Sequence, residues 1–279
     1  MQGKRILITG GNSGIGLVAA RELAGQGAEL VLACRDSEKT QRALAEINAV
    51  AAVEAVNLPV DLASLASVRT LAEVFLGRYD RLDVLINNAG TFPTKQQFTA
   101  DGFEMQMGVN HFAHFLLTQL LIDCLKQSAP ARILTVTSML HKKGQLDFDS
   151  FRGFKKYSAQ AAYNQSKLAN VLFGVELAQR LATTGVTSNV LHPGAVATDI
   201  VRDMPWLVRT VIGWFFISPE KGAQTTLMLA SDPDLETVTG KYYNQCQLDD
   251  YSPLADDVAL RKKLWGVSLE AVGLVESKI

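Results

Sequence analysis

The chain has 279 residues, 48 % of them apolar, which is enough to bury a substantial core in one large domain. Its 27 basic and 28 acidic residues give a net charge of −1, which excludes the electrostatic footprint of a nucleic-acid-binding protein. The three cysteines, Cys34, Cys124 and Cys246, are odd in number and far apart, so no disulfide framework is predicted and a reducing compartment is expected. His111 and His114 have no evident third partner, and we interpret them as helix residues rather than metal ligands.

Residues 1–5 run directly into a strand pattern, so we expect neither a signal peptide nor a leading transmembrane helix. The longest apolar patch, residues 206–217, is interrupted by Arg209 and is too short to span a bilayer. We therefore expect a cytoplasmic protein without a transmembrane segment.

A glycine-rich loop follows the first predicted strand. The apolar run Ile6-Leu7-Ile8 leads into Thr9-Gly10-Gly11-Asn12-Ser13-Gly14-Ile15-Gly16, and a helical pattern follows. Strand, glycine turn and helix are the setting in which such a loop binds phosphate, because the helix N-terminus offers free N–H groups and a positive dipole end. Gly10 would allow the tight turn, Gly14 the approach of a pyrophosphate, and Gly16 close packing of helix on sheet. The alternative is an ordinary glycine-rich turn.

Apolar runs and longer amphipathic stretches alternate along the rest of the chain. The predicted strands are 5–9, 29–33, 53–60, 84–87, 132–137, 188–191 and 241–243. The predicted helices are 15–26, 38–50, 65–79, 103–126, 159–183 and 219–230. This alternation predicts an α/β fold: a single domain over 1–279 with one doubly wound, Rossmann-type parallel sheet of about seven strands and helices on both faces. Segments 139–160 and 197–218 interrupt this alternation after strand ends, where such sheets bind ligands.

Tyr163 and Lys167 lie four residues apart in the helix predicted over 159–183, so they share one helix face. A phenol loses its proton near pH ~10, and a nearby ammonium lowers that pKa because it favours the phenolate. The pair is therefore a candidate proton donor, although a plain surface pair is the alternative. Tyr157 has Ala161 at the equivalent spacing, so we do not expect it to be catalytic.

These features together resemble the short-chain dehydrogenase/reductase family, over nearly the whole chain. The matching motifs are the loop at 9–16, Asn87-Asn88-Ala89-Gly90, Asn110, Ser138, Tyr163 with Lys167, and Pro193-Gly194 with Thr198. Four phrases are similar to the retinol-dehydrogenase-like branch: Ala33-Cys34-Arg35-Asp36, Val109-Asn110-His111-Phe112, Gln165-Ser166-Lys167-Leu168-Ala169-Asn170 and Gly240-Lys241-Tyr242.

The resemblance implies four catalytic residues. Tyr163 would donate a proton to the substrate carbonyl, or accept one in the reverse direction. Lys167 would lower the pKa of Tyr163 and bind the nicotinamide ribose, while Ser138 would hold the substrate oxygen. Asn110 would support a water that links Lys167 to solvent. The alternatives are a strand-end cap for Ser138 and a structural amide for Asn110.

The resemblance also implies a dinucleotide site. Its residues would be the loop members Gly10, Asn12, Ser13, Gly14, Ile15 and Gly16, then Asp61 and Leu62 at the adenine, Asn87, Ala89 and Gly90 at the adenosine ribose, and Pro193, Gly194 and Thr198 at the nicotinamide. A plain turn is the alternative for Pro193-Gly194.

The end of the second strand indicates which dinucleotide is preferred. Family members that prefer NAD usually place an acid there, whereas this chain has Cys34 followed by Arg35. A guanidinium matches a 2′-phosphate in charge and geometry, so NADP(H) is predicted. Asp36 is the counterargument, and we expect it to begin the next helix instead.

Bulky apolar and aromatic residues over 204–208 and 214–217 favour a lipophilic substrate. The resemblance implies a substrate flap near 139–160 and a substrate lid near 197–218, and these residues would belong to the lid. The alternatives are a dimer interface, part of the core, or a peripheral membrane contact. The predicted activity is NADP(H)-dependent interconversion of a lipophilic aldehyde or ketone with its alcohol. The alternatives are a biosynthetic ketoreductase, a steroid-type dehydrogenase, or a non-catalytic NADP(H)-sensing scaffold. Family members commonly form dimers or tetramers, so a homodimer or homotetramer is expected.

Overall fold

A computed structural model describes residues 1–194 and 218–275 of the chain. The strands are β1 (Arg5–Thr9), β2 (Glu29–Cys34), β3 (Val56–Pro59), β4 (Val84–Asn87), β5 (Ala131–Val136), β6 (Val186–His192), β7 (Tyr242–Asn244) and β8 (Gln247–Asp249). The helices are α1 (Gly14–Gly25), α2 (Glu38–Asn48), α3 (Leu65–Arg78), α4 (Met105–Met107), α5 (Ala113–Gln127), α6 (Ala159–Arg180), α7 (Pro219–Ser231) and α8 (Val258–Ala271).

All of these strands belong to one sheet, in the order β3-β2-β1-β4-β5-β6-β7-β8. Every pair is parallel except β7 with β8, which is antiparallel. The predicted doubly wound parallel sheet is therefore confirmed, with β8 as an additional edge strand. The order reverses direction between β1 and β4, and sheets of this kind bind ligands in the crevice at the carboxyl ends of such strands.

Helices cover both faces of the sheet, because successive side chains of each strand point to opposite sides. Leu7 of β1 joins a core with α3, α5, α6 and α8, whereas Ile6 and Ile8 join a second core with α1, α2 and α7. Both faces of β1 are buried against apolar side chains, which explains its continuous apolar run Ile6-Leu7-Ile8.

The predicted helix 103–126 is interrupted. Helix α4 passes through a π-helical turn, Gly108–Phe112, before α5 begins at Ala113. The residue that the sequence placed in the catalytic set, Asn110, lies within this turn. A π turn widens the backbone locally and occurs mostly at functional sites, and apolar periodicity does not reveal it.

The flap predicted over 139–160 contains two 3₁₀ helices, Met139–Lys143 and Phe148–Arg152. It packs closely on α6, since a Cβ on Gly144 would lie 2.5 Å from the carbonyl oxygen of Asn164. The predicted lid, 197–218, lies outside the described residues except for Ser218, whose hydroxyl accepts the backbone N–H of Lys221 and caps α7.

Within 1–194 and 218–275, no helix is both long enough and apolar enough to cross a bilayer.

Candidate active site

The glycine loop after β1 closes tightly on itself. Gly10 and Gly14 have φ angles of 66° and 52°, a region that side chains disfavour. A Cβ on Gly16 would lie 2.4 Å from the carbonyl oxygen of Gly10 and 2.6 Å from the amide nitrogen of Asn88. The loop itself, rather than helix–sheet packing as predicted, therefore requires glycine at position 16. It is Gly11 that faces the sheet, because its Cβ would lie 2.7 Å from a leucine of β2.

The N-terminus of α1 is open to an anion. Ser13 precedes the helix in an extended conformation, its side chain makes no capping hydrogen bond, and the first turn holds no acidic residue. The backbone N–H groups and the positive dipole end thus point out of the loop without a competing carboxylate. Together with the glycine cradle, this end fits the pyrophosphate of a dinucleotide.

Two other loop residues are engaged within the protein. The side-chain amide of Asn12 donates to the hydroxyl of Thr40 at 2.9 Å, and that hydroxyl donates to the carbonyl of Arg35 at 2.7 Å. Ile15 is buried in the core that α1 shares with β1. Thr40, which the sequence did not single out, therefore joins the glycine loop to the turn after β2.

A hydrogen-bond network locks this loop to the segment after β4. The hydroxyl of Thr9 accepts the backbone N–H groups of Asn88 at 2.9 Å and Ala89 at 3.0 Å. The side-chain amide of Asn88 donates to the carbonyl of Thr9 at 2.8 Å. The Thr9 hydroxyl also lies 2.9 Å from Nε2 of His114, whose Nδ1 lies 3.1 Å from the carbonyl oxygen of Asn110. Thr9 and His114 were not predicted as site residues, because their roles depend on contacts across the crevice.

Two residues predicted to contact the adenosine, Asn87 and Asp61, make side-chain hydrogen bonds within the protein. Asn87 is buried, and its amide nitrogen donates to the hydroxyl of Thr118 in α5 at 3.0 Å, whereas its Oδ1 has no hydrogen-bond partner among the described residues. The carboxylate of Asp61 accepts the N–H of Ala63 at 3.0 Å and shapes the turn after β3. Its neighbour Leu62 packs against the core. Asp61 is exposed, so its carboxylate is accessible to a ligand at the end of β3.

The end of β2 carries Cys34, whose thiol is buried beneath the glycine loop. Burial raises the pKa of Cys34 to about 11, against hydrogen bonds from the backbone of Asn12, Gly11 and Gly10. The thiol therefore stays neutral where an acid would be needed to bind two ribose hydroxyls. Arg35 follows it, exposed to solvent, and within the described ranges its guanidinium has no hydrogen-bond or ion-pair partner.

The expectation that Asp36 begins the next helix is wrong. Helix α2 begins at Glu38, with Ser37 as its cap, and Asp36 precedes both. The Asp36 carboxylate instead accepts a hydrogen bond from the side chain of Gln41 at 3.2 Å. The helix starts later because the Ser37 hydroxyl satisfies the N–H of Thr40, which is what a cap residue does.

Tyr163, Ser138 and Lys167 meet as predicted. Tyr163 lies in the second turn of α6, is 8 % exposed, and packs edge-on against Phe92 at a ring-centroid distance of 5.1 Å. Its phenol lies near the hydroxyl of Ser138, which favours the phenolate and acts to lower the pKa of Tyr163. Nζ of Lys167 lies 5.6 Å from the centre of the Tyr163 ring. One helix face and the segment after β5 thus bring the three side chains to the same place.

Burial dominates the ionisation of this pair. It raises the pKa of Tyr163 to about 12, and the hydrogen bond from Ser138 acts in the opposite direction. It also lowers the pKa of Lys167 to about 8. The predicted lowering of the Tyr163 pKa is therefore wrong, because burial outweighs the one opposing influence, that of Ser138. The ammonium is directed at the carbonyl of Val136, 3.1 Å away, rather than at the phenol.

Asn110 clamps the loop that faces Lys167. Its side chain accepts the N–H of Thr91 at 2.8 Å and donates to the Thr91 carbonyl at 3.2 Å and to the Ser166 hydroxyl at 3.0 Å. A Cβ on Gly90 would lie 3.5 Å from Oδ1 of Asn110 and 3.6 Å from Nζ of Lys167. The missing side chain at Gly90 leaves space directly in front of the lysine.

The remaining predicted positions lie at other strand ends and loops. Pro193 and Gly194 follow β6, and Gly194 has a φ of 94°, as a glycine-dependent turn requires. Thr198 lies outside the described residues. The hydroxyl of Tyr157 donates to the carbonyl of Pro93 at 3.0 Å and accepts from the Gln106 amide at 3.0 Å, so this tyrosine ties loops together.

Comparison with known proteins agrees with this geometry. The profile of the family described as short chain dehydrogenase matches residues 4–205. Retinol dehydrogenase 14 of Homo sapiens is 44 % identical over 296 residues, which cover 99 % of this chain and 88 % of that protein.

Solved structures show the same fold. An uncharacterized protein from Mycobacterium paratuberculosis has a TM-score of 0.81 at 33 % identity, covering 98 % of this chain and 94 % of its own. The NADP active-site complex of RhlG from Pseudomonas aeruginosa has a TM-score of 0.72 at 26 % identity, covering 88 % and 95 % respectively. With its glycine loop, its buried Tyr163–Lys167 pair and these relatives, the chain belongs to the short-chain dehydrogenase family, in its retinol-dehydrogenase-like branch.

Proposed function

We propose that the protein is an NADP(H)-dependent oxidoreductase that interconverts a lipophilic aldehyde or ketone with its alcohol. The observation that carries the proposal is the position of Tyr163, buried beside Lys167 and near Ser138 at the same edge of the sheet as the glycine loop. A non-catalytic scaffold has no need of a buried phenol and ammonium, both of which cost desolvation free energy.

The residues divide the chemistry between them. The dinucleotide would supply hydride for reduction and take it up in oxidation. Ser138 holds the carbonyl oxygen of the substrate through its hydroxyl, and Tyr163 donates a proton to that oxygen as negative charge develops there. With a pKa of about 12, Tyr163 carries its proton throughout the neutral range, which is the state that reduction needs. In the alcohol-to-carbonyl direction Tyr163 must first lose its proton and then act as the base.

Preference for NADP(H) over NAD(H) is supported by the end of β2. Cys34 is a neutral thiol there, and the adjacent Arg35 is exposed, without a partner in the described part of the chain. Asp36 is turned toward Gln41, so it does not neutralise the guanidinium. An unpaired guanidinium at this position suits a 2′-phosphate.

A lipophilic substrate is supported by the surroundings of Tyr163. Phe92 covers one edge of its ring, and Met139, directly after Ser138, is half-exposed. An apolar side chain left in solvent beside the reacting groups favours apolar ligands. Relatives named retinol dehydrogenases agree with an apolar alcohol or aldehyde.

The test is an NADPH-consumption screen over aldehydes and ketones of graded chain length. We expect turnover that increases with apolar length. Tyr163→Phe should lower it by about 10²- to 10⁴-fold, the usual contribution of a general acid, while NADPH still binds. Tyr157→Phe is the matched control, because that hydroxyl bonds Pro93 and Gln106 outside the pair, and it should retain turnover.

Two results would contradict the proposal. Near-normal turnover by Tyr163→Phe would remove the proton-donor role. NADPH binding by the wild-type protein without turnover of any carbonyl in the series would favour the sensing scaffold.

A further inference from the structure

His141 lies in the first 3₁₀ helix of the flap, three residues after Ser138, and is fully buried. Its Nε2 accepts the backbone N–H of Ser252 at 3.1 Å. An acceptor nitrogen carries no proton, so the ring proton of a neutral His141 is on Nδ1. Nδ1 lies 2.6 Å from the carbonyl oxygen of Ser138 and donates to it. The two ring nitrogens therefore join Ser138 to Ser252, which lies 111 residues after His141 in the chain.

The carbonyl of Ser138 is held from two directions. Besides the imidazole, the backbone N–H of His141 donates to it at 2.9 Å. The Ser138 hydroxyl in turn accepts the N–H of Leu140 at 3.3 Å and acts on the pKa of the Tyr163 phenol. Because the carbonyl holds the peptide plane after Ser138, it constrains the direction in which Cβ leaves the backbone, and the Leu140 N–H then holds the hydroxyl.

The surroundings keep the imidazole neutral. Burial lowers the pKa of His141, against the hydrogen bond with Ser138. A neutral ring can donate at one nitrogen and accept at the other, whereas a charged ring would lose its bond to Ser252. The ring also packs edge-on against Tyr242 of β7 at a centroid distance of 4.9 Å.

The neighbouring residue reinforces the same link. Lys142 approaches the carboxylate of Asp249 in β8 at 3.4 Å, so two successive flap residues contact the β7–β8 region and the segment after it. On the other side, the flap is seated on α6 at Gly144, next to the turn that carries Tyr163. The flap helix is thus fixed between the catalytic helix and the C-terminal part of the sheet.

We infer that His141 is a positioning residue for Ser138: by bridging the Ser138 carbonyl to Ser252, it sets the orientation of the serine hydroxyl toward Tyr163 and the substrate oxygen. The inference rests on the proposed oxidoreductase function. His141 does not touch the reacting atoms, and its effect on turnover passes entirely through Ser138.

A double-mutant cycle with Ser138→Ala separates this role from a purely structural one. His141→Leu, measured at saturating NADPH, should lower kcat by about 10- to 100-fold in the wild-type background, the range of strong pairwise coupling. In the Ser138→Ala background the same substitution should change kcat by less than about 2-fold, because no hydroxyl remains to be positioned. His141→Asn places an amide donor near Nδ1 and should restore most of the loss.

Equal losses in both backgrounds would overturn the inference, as would an Asn variant that is as impaired as the Leu variant. If His141→Leu fails to fold, the cycle is run with the Gln variant, which keeps a polar side chain at the site. Nitrogen-15 NMR of the imidazole provides a readout that is independent of turnover. It should show the proton on Nδ1, and a proton on Nε2 would also overturn the inference. A wild-type protein that reduces no carbonyl would instead count against the proposed function.

Discussion

Gly16→Ala places a methyl group inside the glycine loop. The new Cβ would lie 2.4 Å from the Gly10 carbonyl oxygen, whereas ordinary contacts begin at 3.4 Å, so backbone must move by about 1 Å. Overpacking of this kind costs about 1–3 kcal/mol, which exceeds the roughly 1 kcal/mol that alanine gains over glycine in a helix. A displacement of about 1 Å also costs up to about 100-fold in function at a positioned site. We expect the Kd for NADPH, measured by fluorescence titration, to rise by about 10- to 100-fold.

Gly266→Ala is the matched control. Gly266 lies on the exposed face of α8, and a Cβ there would meet nothing within 4 Å. The same substitution should stabilise the protein by up to about 1 kcal/mol and leave the Kd unchanged. A folded Gly16→Ala protein that binds NADPH within about 2-fold of wild type would refute the assignment of the loop as the pyrophosphate cradle.

Three further perturbations test other parts of the site. Arg35→Ala should raise the Kd for NADPH by about 10- to 100-fold, which corresponds to the loss of a charge-assisted hydrogen bond, and should leave the Kd for NADH nearly unchanged. Equal losses of affinity for the two dinucleotides in titrations would show that Arg35 does not bind the 2′-phosphate. Lys167→Met should stabilise the protein at pH 7 by up to about 3 kcal/mol, because a folded pKa of about 8 against the ordinary 10.5 makes the charged form costly. That gain in stability should shrink as pH rises from 8 through 10.5, because Lys167 loses its proton in the folded wild-type protein before it does so in the unfolded chain. A difference in thermal stability between variant and wild type that does not change with pH would contradict this expectation. Asn110→Ala leaves the N–H and carbonyl of Thr91 without partners and should cost about 2–5 kcal/mol in urea unfolding; unchanged stability would show that the clamp is dispensable.

The sequence predicts the interior of the sheet well. Strands β1 and β4 are predicted to the residue, Arg5–Thr9 and Val84–Asn87, because burial on both faces requires short continuous apolar runs bounded by polar loops. Strand β8, Gln247–Asp249, has no such run, and it is defined only by its antiparallel register with β7. Helix α8 was missed because Arg261 and Ser268 interrupt its buried face, so its apolar stripe is weak.

The sequence predicted which residues form the candidate site better than it predicted how their side chains are oriented. The residues that meet at Tyr163 could be identified from their motifs, but the direction of Asn87 toward α5 and the clamp from Asn110 to Thr91 depend on packing between distant segments. The ionisation of Tyr163 shows the same limit. A sequence reveals that a cation is four residues away, whereas the loss of hydration that sets the pKa depends on everything else that surrounds the phenol.

The hydrogen bond of the Asn88 side-chain amide has a consequence for how the protein unfolds. This side chain follows β4 and donates to the carbonyl of Thr9 at the end of β1, 79 residues earlier in the chain. These two strands are the pair at which the strand order of the sheet reverses. A break in that strand pair would dismantle the phosphate cradle and the opposite wall of the crevice in one event. Loss of nucleotide affinity and loss of global structure should therefore follow a single cooperative transition, with no stage at which half of the crevice survives.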